Sequence, residues 1–161
     1  MSSPTSPSDE RRKVGMVVPP PILLLGLIAA CVGAQVVWFG GVTFSTTRSV
    51  LGMLILLASL ALFASCVSLF RKAGTSFQPT SPTAAIVRAG PYRISRNPMY
   101  LGMAGLLAGL GVLLGSPCFG AALVVFLVVV HFGVVLREER YLESLHGEAY
   151  RQYKRRVRRW L

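Results

Sequence analysis

The sequence predicts an all-α integral membrane protein with four transmembrane helices, in which a C-terminal helical hairpin is followed by an interfacial basic helix. Two features of the composition predict this class: 53% of the 161 residues are hydrophobic and only 14% are charged, against about 25% in soluble domains. The third feature is that the apolar residues occur in uninterrupted blocks, unlike the alternating or amphipathic patterns of soluble cores. Lipid is therefore the expected surrounding of these blocks.

Residues 1–21 are predicted to be a disordered cytosolic tail, because their first part is rich in serine, proline and charge and they end in Pro19-Pro20-Pro21. Two apolar segments follow within residues 22–70, one from Ile22 to Val42 and one from Ser49 to Phe70. Each segment is long enough to cross a hydrocarbon core of about 30 Å. We therefore expect two transmembrane helices in this part of the chain.

The longest apolar stretch, Met99 to Leu136, must fold back on itself. As one helix it would be about 57 Å long, roughly twice the thickness that a span requires. Gly115-Ser116-Pro117 supplies the break. Residues 98–136 are therefore predicted to be a hairpin of two helices, Pro98 to Gly115 and Pro117 to Leu136.

The distribution of the basic residues tests this topology. With four crossings, both termini and the loop of residues 71–97 lie on one side of the bilayer. Of the 17 lysines and arginines, 16 then lie on that side and Arg48 alone lies on the other. The positive-inside rule makes the basic side cytosolic, in a bacterial inner membrane or the endoplasmic reticulum. Three or five crossings would scatter these charges.

The composition also argues against two classes of ligand. The basic residues avoid the apolar blocks and no nucleic-acid-binding module is recognisable, so the net charge of +11 does not indicate a nucleic acid partner. Cys31, Cys66 and Cys118 lie in or beside apolar segments and lack the spacing of metal ligands or disulfides. No metal site is predicted.

Residues 137–161 are predicted to be the interfacial basic helix, with a possible kink at Gly147. Anchoring to anionic lipid headgroups explains their charge. The apolar residues that recur at helical spacing are Leu142, Leu145, Ala149, Tyr153 and Val157. Within the hairpin, Gly105 with Gly109 and Gly111 with Gly115 suit close packing against another helix.

The loop of residues 71–97 is the first place where chemistry is expected, because a protein that only spans the membrane needs short connections. The loop ends at Asn97, a good N-cap, and Pro98, a good first helical residue. These two residues can simply start a helix. The free N–H groups of that helix could equally hold a carboxylate or a phosphate, and the residues alone leave both interpretations open.

Three ionisable residues near the end of the last span are further candidates. His131 lies about two turns from the cytosolic end, at a depth where ionisable side chains are commonly functional. It could instead be a neutral imidazole bonded to a neighbouring helix, with Gln35 as an available partner. Glu138 and Glu139 directly follow the span. They are candidates for ligand binding, for a solvated helix face, or for ion pairs with nearby arginines.

Four motifs in series carry a resemblance to a known superfamily. They are Gly90-Pro91-Tyr92-Arg93, Arg96-Asn97-Pro98-Met99-Tyr100-Leu101-Gly102, Glu138-Glu139-x-x-Leu142 and Gly147-x-x-Tyr150-x-x-Tyr153. In order and spacing the chain resembles the isoprenylcysteine carboxyl methyltransferase and phospholipid methyltransferase superfamily over roughly residues 73–161. This suggests that residues 71–161 are a methyltransferase core, made of a cofactor loop, the hairpin and the C-terminal segment.

The resemblance implies S-adenosylmethionine as the cofactor and methyl transfer to a lipid-like or prenylated acceptor at the cytosolic membrane face. Carried over by position, the residues that would bind the cofactor are Gln78, Ile86, Val87, Tyr92, Asn97, Pro98, Met99, Tyr100 and Glu138. Relatives often have histidine where this chain has Asn97. Glu139 would support the site.

The resemblance favours a prenylcysteine-type carboxylate as acceptor, with a phospholipid amine as the alternative. Prenylcysteine enzymes have an arginine where this chain has Val134, and Arg137 is the candidate substitute. A carboxylate is ionised at neutral pH, whereas an ammonium headgroup must first lose a proton. His131 or Glu139 would be catalytic only in the second case.

Three other functions are compatible with a small membrane protein. A membrane sterol reductase would need NADPH and is generally longer. A four-span transporter usually carries charged residues within its spans, whereas the spans predicted here contain no Asp, Glu, Lys or Arg and only His131 as a histidine. An assembly factor would need neither the long loop nor the pair of glutamates.

Overall fold

The computed structural model describes residues 19–38, 45–72 and 87–161. The longer secondary-structure elements in these ranges are six α-helices, which confirms the predicted all-α class. In chain order they are α1 (Pro20–Trp38), α2 (Thr46–Lys72), α3 (Pro98–Leu114), α4 (Pro117–Val130), α5 (Leu136–His146) and α6 (Glu148–Arg156). A 3₁₀ turn at Gly90–Arg93 precedes α3, and a π-helical turn at His131–Val135 joins α4 to α5.

One predicted boundary differs from the structure here, and three predicted regions lie partly or wholly outside its described part. Helix α1 begins at Pro20, two residues before the predicted start, because proline is compatible with the first helical turn. The predicted tail up to residue 18, the end of the first apolar segment, and residues 73–86 of the loop lie outside the described residues.

Within the described residues, three helices are long and apolar enough to cross a membrane: Pro20–Val37, Thr46–Lys72 and the continuous helix Pro117–His146. Helix α3 is also apolar, but its 17 residues place it below the length of the other three. At about 1.5 Å per residue it is about 25 Å long, near the lower limit for a span. By length, the structure therefore supports three of the four predicted spans.

The predicted hairpin is present, and its turn lies at Gly115. This residue has φ +62°, a conformation that side chains with a Cβ rarely adopt, and its N–H donates to the carbonyls of Gly111 and Val112. Arg48 packs beside Gly115. The single residue that the charge pattern assigned to the opposite side of the membrane therefore lies at the turn end of the hairpin.

The second hairpin helix does not end at Leu136 as predicted. It continues through the π-helical turn into α5 and stops at Gly147, which has φ +51°. Proline and left-handed glycine, which end helices, are absent between Pro117 and that residue. Helix α5 is thus a direct extension of the last span.

Helix α6 places its apolar side chains against the protein. Tyr150, Tyr153 and Val157 are buried and pack with Leu142, whereas Leu145 and Ala149 are exposed. An apolar side chain exposed on an interfacial helix would meet lipid, so the interfacial placement of this segment stays a prediction. The left-handed backbone at Gly147 turns the chain, so helical spacing does not continue across it.

Helices α2 and α3 approach closely because small residues line their contact. Gly105 faces Ser59 and Gly109 faces Leu56, which confirms the packing role predicted for these two glycines. Gly52 makes the closest approach to the backbone of the other helix, since a Cβ placed there would lie 2.6 Å from the backbone nitrogen of Leu113. Leu107, on the neighbouring face of α3, is fully buried in the core with Phe119 and Phe126 of α4.

We expect Gly52→Ala to destabilise the protein by about 1 to 3 kcal/mol, because the added methyl group meets a backbone that cannot rotate away. Gly33→Ala is the matched control, since a Cβ there meets nothing within 4 Å. Thermal unfolding of the purified variants in detergent measures both. Equal midpoints for the two variants would contradict the close approach of α2 and α3.

Candidate functional site

The candidate site lies at the end of the bundle where α2 ends and α3 begins. Tyr92 of the 3₁₀ turn is buried and contacts Phe70 of α2 edge to face, with the ring centroids 5.6 Å apart. On its other side, the Tyr153 hydroxyl donates a 2.7 Å hydrogen bond to the backbone carbonyl of Tyr92. Burial raises the pKa of Tyr153 to about 12, so this hydroxyl remains a donor at neutral pH. The turn is therefore held between α2 and α6.

Tyr100 and Glu138 meet across the site. The Tyr100 hydroxyl donates a 2.7 Å hydrogen bond to Oε1 of Glu138, and both side chains are partly buried. A carboxylate removed from water requires hydrogen bonds or an opposite charge. No basic side chain among the described residues forms an ion pair with Glu138. Most of its acceptor capacity is therefore open to a ligand with positive charge or hydroxyl groups.

Glu139 has a different environment from its neighbour. It is 5% exposed and accepts two hydrogen bonds of 2.9 Å from Arg159, one to each carboxylate oxygen. Arg96, whose side chain is 9% exposed, adds an ion pair at 3.2 Å. The hydrogen bond to Glu139 raises the pKa of Arg159 above its ordinary value. Of the alternatives that the sequence left open, the structure places Glu139 in an ion-pair network.

The C-terminal segment of residues 157–161 lies alongside the start of α3. The backbone N–H of Arg96 donates to the carbonyl of Arg158 over 2.9 Å, and Nδ2 of Asn97 donates to the carbonyl of Arg159 over 2.9 Å. Ser95 adds a longer bond of 3.3 Å to the same carbonyl of Arg159. The chain end is therefore bound to the residues that begin α3.

Asn97 is the N-cap residue of α3, as predicted, but its side chain does not cap the helix. No capping hydrogen bond from this side chain is present, because its amide instead binds the C-terminal backbone. Pro98 does occupy the first helical position, as predicted, and is fully buried. Asn97 thus joins two chain segments and leaves the N–H groups at the start of α3 without a side-chain cap.

His131 is bonded to the C-terminus and not to another span. Nε1 of Trp160 donates a 3.1 Å hydrogen bond to Nδ1 of His131, and the two rings are inclined by 28° with centroids 6.1 Å apart. Phe132 contacts the imidazole edge to face. The bond requires a lone pair on Nδ1, so a neutral imidazole here carries its proton on Nε2.

The other residues proposed from the resemblance are placed as follows. Val87 and Arg137 are partly buried, and Met99 packs against the apolar core. Gln78 and Ile86 lie outside the described residues. Val134 is 2% exposed and belongs to the core, so position 134 offers no charge to an acceptor.

Three residues of this site were not candidates in the sequence: Ser95, Arg159 and Trp160. Their partners are 20 to 64 residues away along the chain. No local spacing signals such contacts. Arg159 and Trp160 followed several other basic residues, which made anchoring to lipid a sufficient explanation of that segment.

Comparison of the sequence with known proteins identifies a family and a relative. Residues 47–149 match the model of a family described as phospholipid methyltransferase. An uncharacterized protein of Haemophilus influenzae is 40% identical over 63 residues, which cover 39% of this chain and the whole of that protein. No solved structure matches. The family match includes Tyr92, Tyr100, Glu138 and Glu139, and it ends at residue 149, before the segment of residues 157–161.

Proposed function

The chain belongs to the phospholipid methyltransferase family, and from this membership we propose that it transfers a methyl group from S-adenosylmethionine to a lipid acceptor at the cytosolic face of a membrane. The observation that carries the proposal is the contact of Tyr100 with Glu138. It offers a partly buried carboxylate at one end of an apolar helical bundle, where a soluble donor and a lipid can both arrive.

The residues of the site fit this cofactor. S-adenosylmethionine supplies a methyl group on a sulfonium and carries an amine and ribose hydroxyls. Glu138 has no basic partner among the described residues, so a cationic or hydroxyl-bearing group would compensate its charge. Tyr100 orients this carboxylate. Tyr92, Asn97 and the start of α3 are proposed to form the adjoining wall.

The contacts of Glu139 and His131 make a role as general base unfavourable for both residues. Glu139 is proposed to support the site, because two arginines already occupy its oxygens. His131 would have to break its bond with Trp160 before Nδ1 could accept a proton. Neither arrangement favours a general base, which suits an acceptor that is already ionised.

The acceptor is proposed to be a lipid-borne carboxylate of the prenylcysteine type, with Arg137 as the side chain that would hold it. The alternative, a phospholipid amine, is favoured by the description of the matched family and by the burial of Val134. The two acceptors differ in proton chemistry. That difference makes them separable in one assay.

We expect membranes that contain the protein to transfer label from methyl-labelled S-adenosylmethionine into a lipid. Mild base should then release the label from this lipid as methanol, because a methyl ester is hydrolysed. The rate should be nearly flat between about pH 6 and 8, because a carboxylate pKa near 4 is far below this range. Base-stable label in phospholipid, with a rate that rises with pH, would identify the acceptor as a phospholipid amine and not a carboxylate. Absence of label from every lipid fraction would contradict the proposed function.

The proposed topology has four crossings with both termini cytosolic, and α3 is then a short span. The basic residues at the site and Arg48 at the opposite hairpin turn support this arrangement. We expect a membrane-impermeant thiol reagent outside intact cells to modify Cys118, which is partly exposed beside that turn. Cys118→Ser should abolish labelling, since Cys31 and Cys66 are buried. A C-terminal reporter found outside the cell would overturn the topology.

A further inference from the structure

Arg88, Arg93 and Arg156 are among the arginines of the C-terminal half that pair with no carboxylate of the described residues. Four acidic residues lie in the described part of the chain. Glu138 binds Tyr100, Glu139 pairs with Arg96 and Arg159, Glu143 with Arg151 and Lys154, and Glu148 with Arg151 and Arg155. Within these residues, Arg88, Arg93 and Arg156 have no ion pair with any of the four.

The same three arginines line one cavity of about 280 Å³, together with Gln152, Tyr153 and Val157. They reach it from the segment before the 3₁₀ turn, from the end of that turn and from the end of α6. No acidic side chain lines the cavity. Positive charges that converge without a counter-charge repel one another, so an anion in the cavity would stabilise their arrangement.

One of the arginines is held in position by the protein. Nη2 of Arg88 donates a 2.8 Å hydrogen bond to the carbonyl of Ala149, and its guanidinium lies 5.9 Å from the centroid of the Tyr153 ring. The Tyr153 hydroxyl is itself bonded to the carbonyl of Tyr92. Arg88 therefore presents its remaining donors from a fixed position, which lowers the entropic cost of binding.

We propose that this cavity binds a phosphate group. Guanidinium groups match the oxygens of phosphate with paired, charge-assisted hydrogen bonds, and three of them suit an anion with more oxygens than a carboxylate. Gln152 adds a neutral donor. Tyr92, Asn97, Tyr100 and Glu138 do not line this cavity, so the proposal does not depend on the methyl transfer.

The phosphate can come from a lipid headgroup or from solution, and binding to the detergent-purified full-length protein separates the two. The probes are dihexanoyl phosphatidylglycerol, inorganic phosphate and, as the uncharged control, dihexanoylglycerol. We expect saturable binding of the phospholipid and none of the diacylglycerol. Competition by inorganic phosphate would identify a site for phosphate from either source, and its absence would identify a headgroup site.

Arg156→Gln and Arg155→Gln form a matched pair, because they remove the same charge from neighbouring positions. Arg155 does not line the cavity and pairs with Glu148 on the exposed surface. We expect Arg156→Gln to weaken phospholipid binding by about tenfold and Arg155→Gln by less than about twofold. Arg93→Gln tests the cavity from a second element, and thermal unfolding checks that the variants are folded.

Three results would overturn the proposal. Equal losses in Arg155→Gln and Arg156→Gln would show general attraction to net charge. Equal binding of dihexanoylglycerol would show that the acyl chains alone are recognised. No saturable binding of either phosphate probe would show that the cavity has no such ligand.

Discussion

Replacing Glu138 by glutamine is expected to weaken binding of S-adenosylmethionine by about 1.5 to 3 kcal/mol, a loss of more than about tenfold in affinity. The substitution keeps the shape of the side chain and removes its charge. In the structure, this carboxylate has a hydroxyl partner and no basic one among the described residues. Its charge is therefore available to a cationic ligand, and calorimetry with the purified protein measures the loss.

Two further variants separate this role from a general effect of charge. Glu143→Gln removes an acid one turn away that pairs with Lys154 and Arg151, so it should leave the affinity nearly unchanged. Tyr100→Phe removes the hydroxyl that orients Glu138 and should cause a smaller loss, of about 0.5 to 1.5 kcal/mol. Equal effects of Glu138→Gln and Glu143→Gln would refute the assignment of Glu138 to the cofactor.

Replacing Glu139 by glutamine is expected to lower the free energy of unfolding by about 3 to 5 kcal/mol, because it leaves the buried guanidinium of Arg96 without its counter-charge. Both side chains are nearly inaccessible, with 9% of Arg96 and 7% of Glu139 exposed. Nε of Arg96 already lacks a hydrogen bond partner, so no neighbouring acceptor is ready to replace the carboxylate. Denaturant unfolding in detergent micelles measures the change.

Glu148→Gln is the control for this prediction. Its side chain is 57% exposed in its pairs with Arg151 and Arg155, and exposed pairs contribute about 1 kcal/mol or less. Removing Arg96 together with Glu139 should recover part of the lost stability, because no buried charge then remains unpaired. If Glu139→Gln destabilises no more than Glu148→Gln, the ion pairs do not stabilise the fold.

The agreement between sequence and structure is closest where the determining residues are neighbours in the chain. The break at Gly115-Ser116-Pro117 depends on a glycine that accepts positive φ and on a proline that begins the next helix. The close approach of α2 and α3 depends on glycines at helical spacing. Such features are local, so the sequence alone could predict them.

The sequence could predict which residues belong to the candidate site, but it could not predict most of the contacts between them. The motifs indicated Tyr100 and Glu138 as members of one site, and the structure joins them although they are 38 residues apart. The motifs could not distinguish Glu138 from Glu139, because adjacent residues on a helix face different directions. Only the packing of neighbouring elements decides that one carboxylate meets a tyrosine and the other meets two arginines.

The sequence by itself determined that this protein is a helical membrane protein with a hairpin, and it indicated which motifs belong to the candidate site. Apolar length, proline, glycine and motif order are properties of the chain. The tertiary structure alone decided what the C-terminal segment does. This segment lies against the start of α3, where Arg159 binds Asn97 and Glu139 and Trp160 binds His131. These contacts join residues 20 to 62 positions apart, and no local propensity encodes such a pairing.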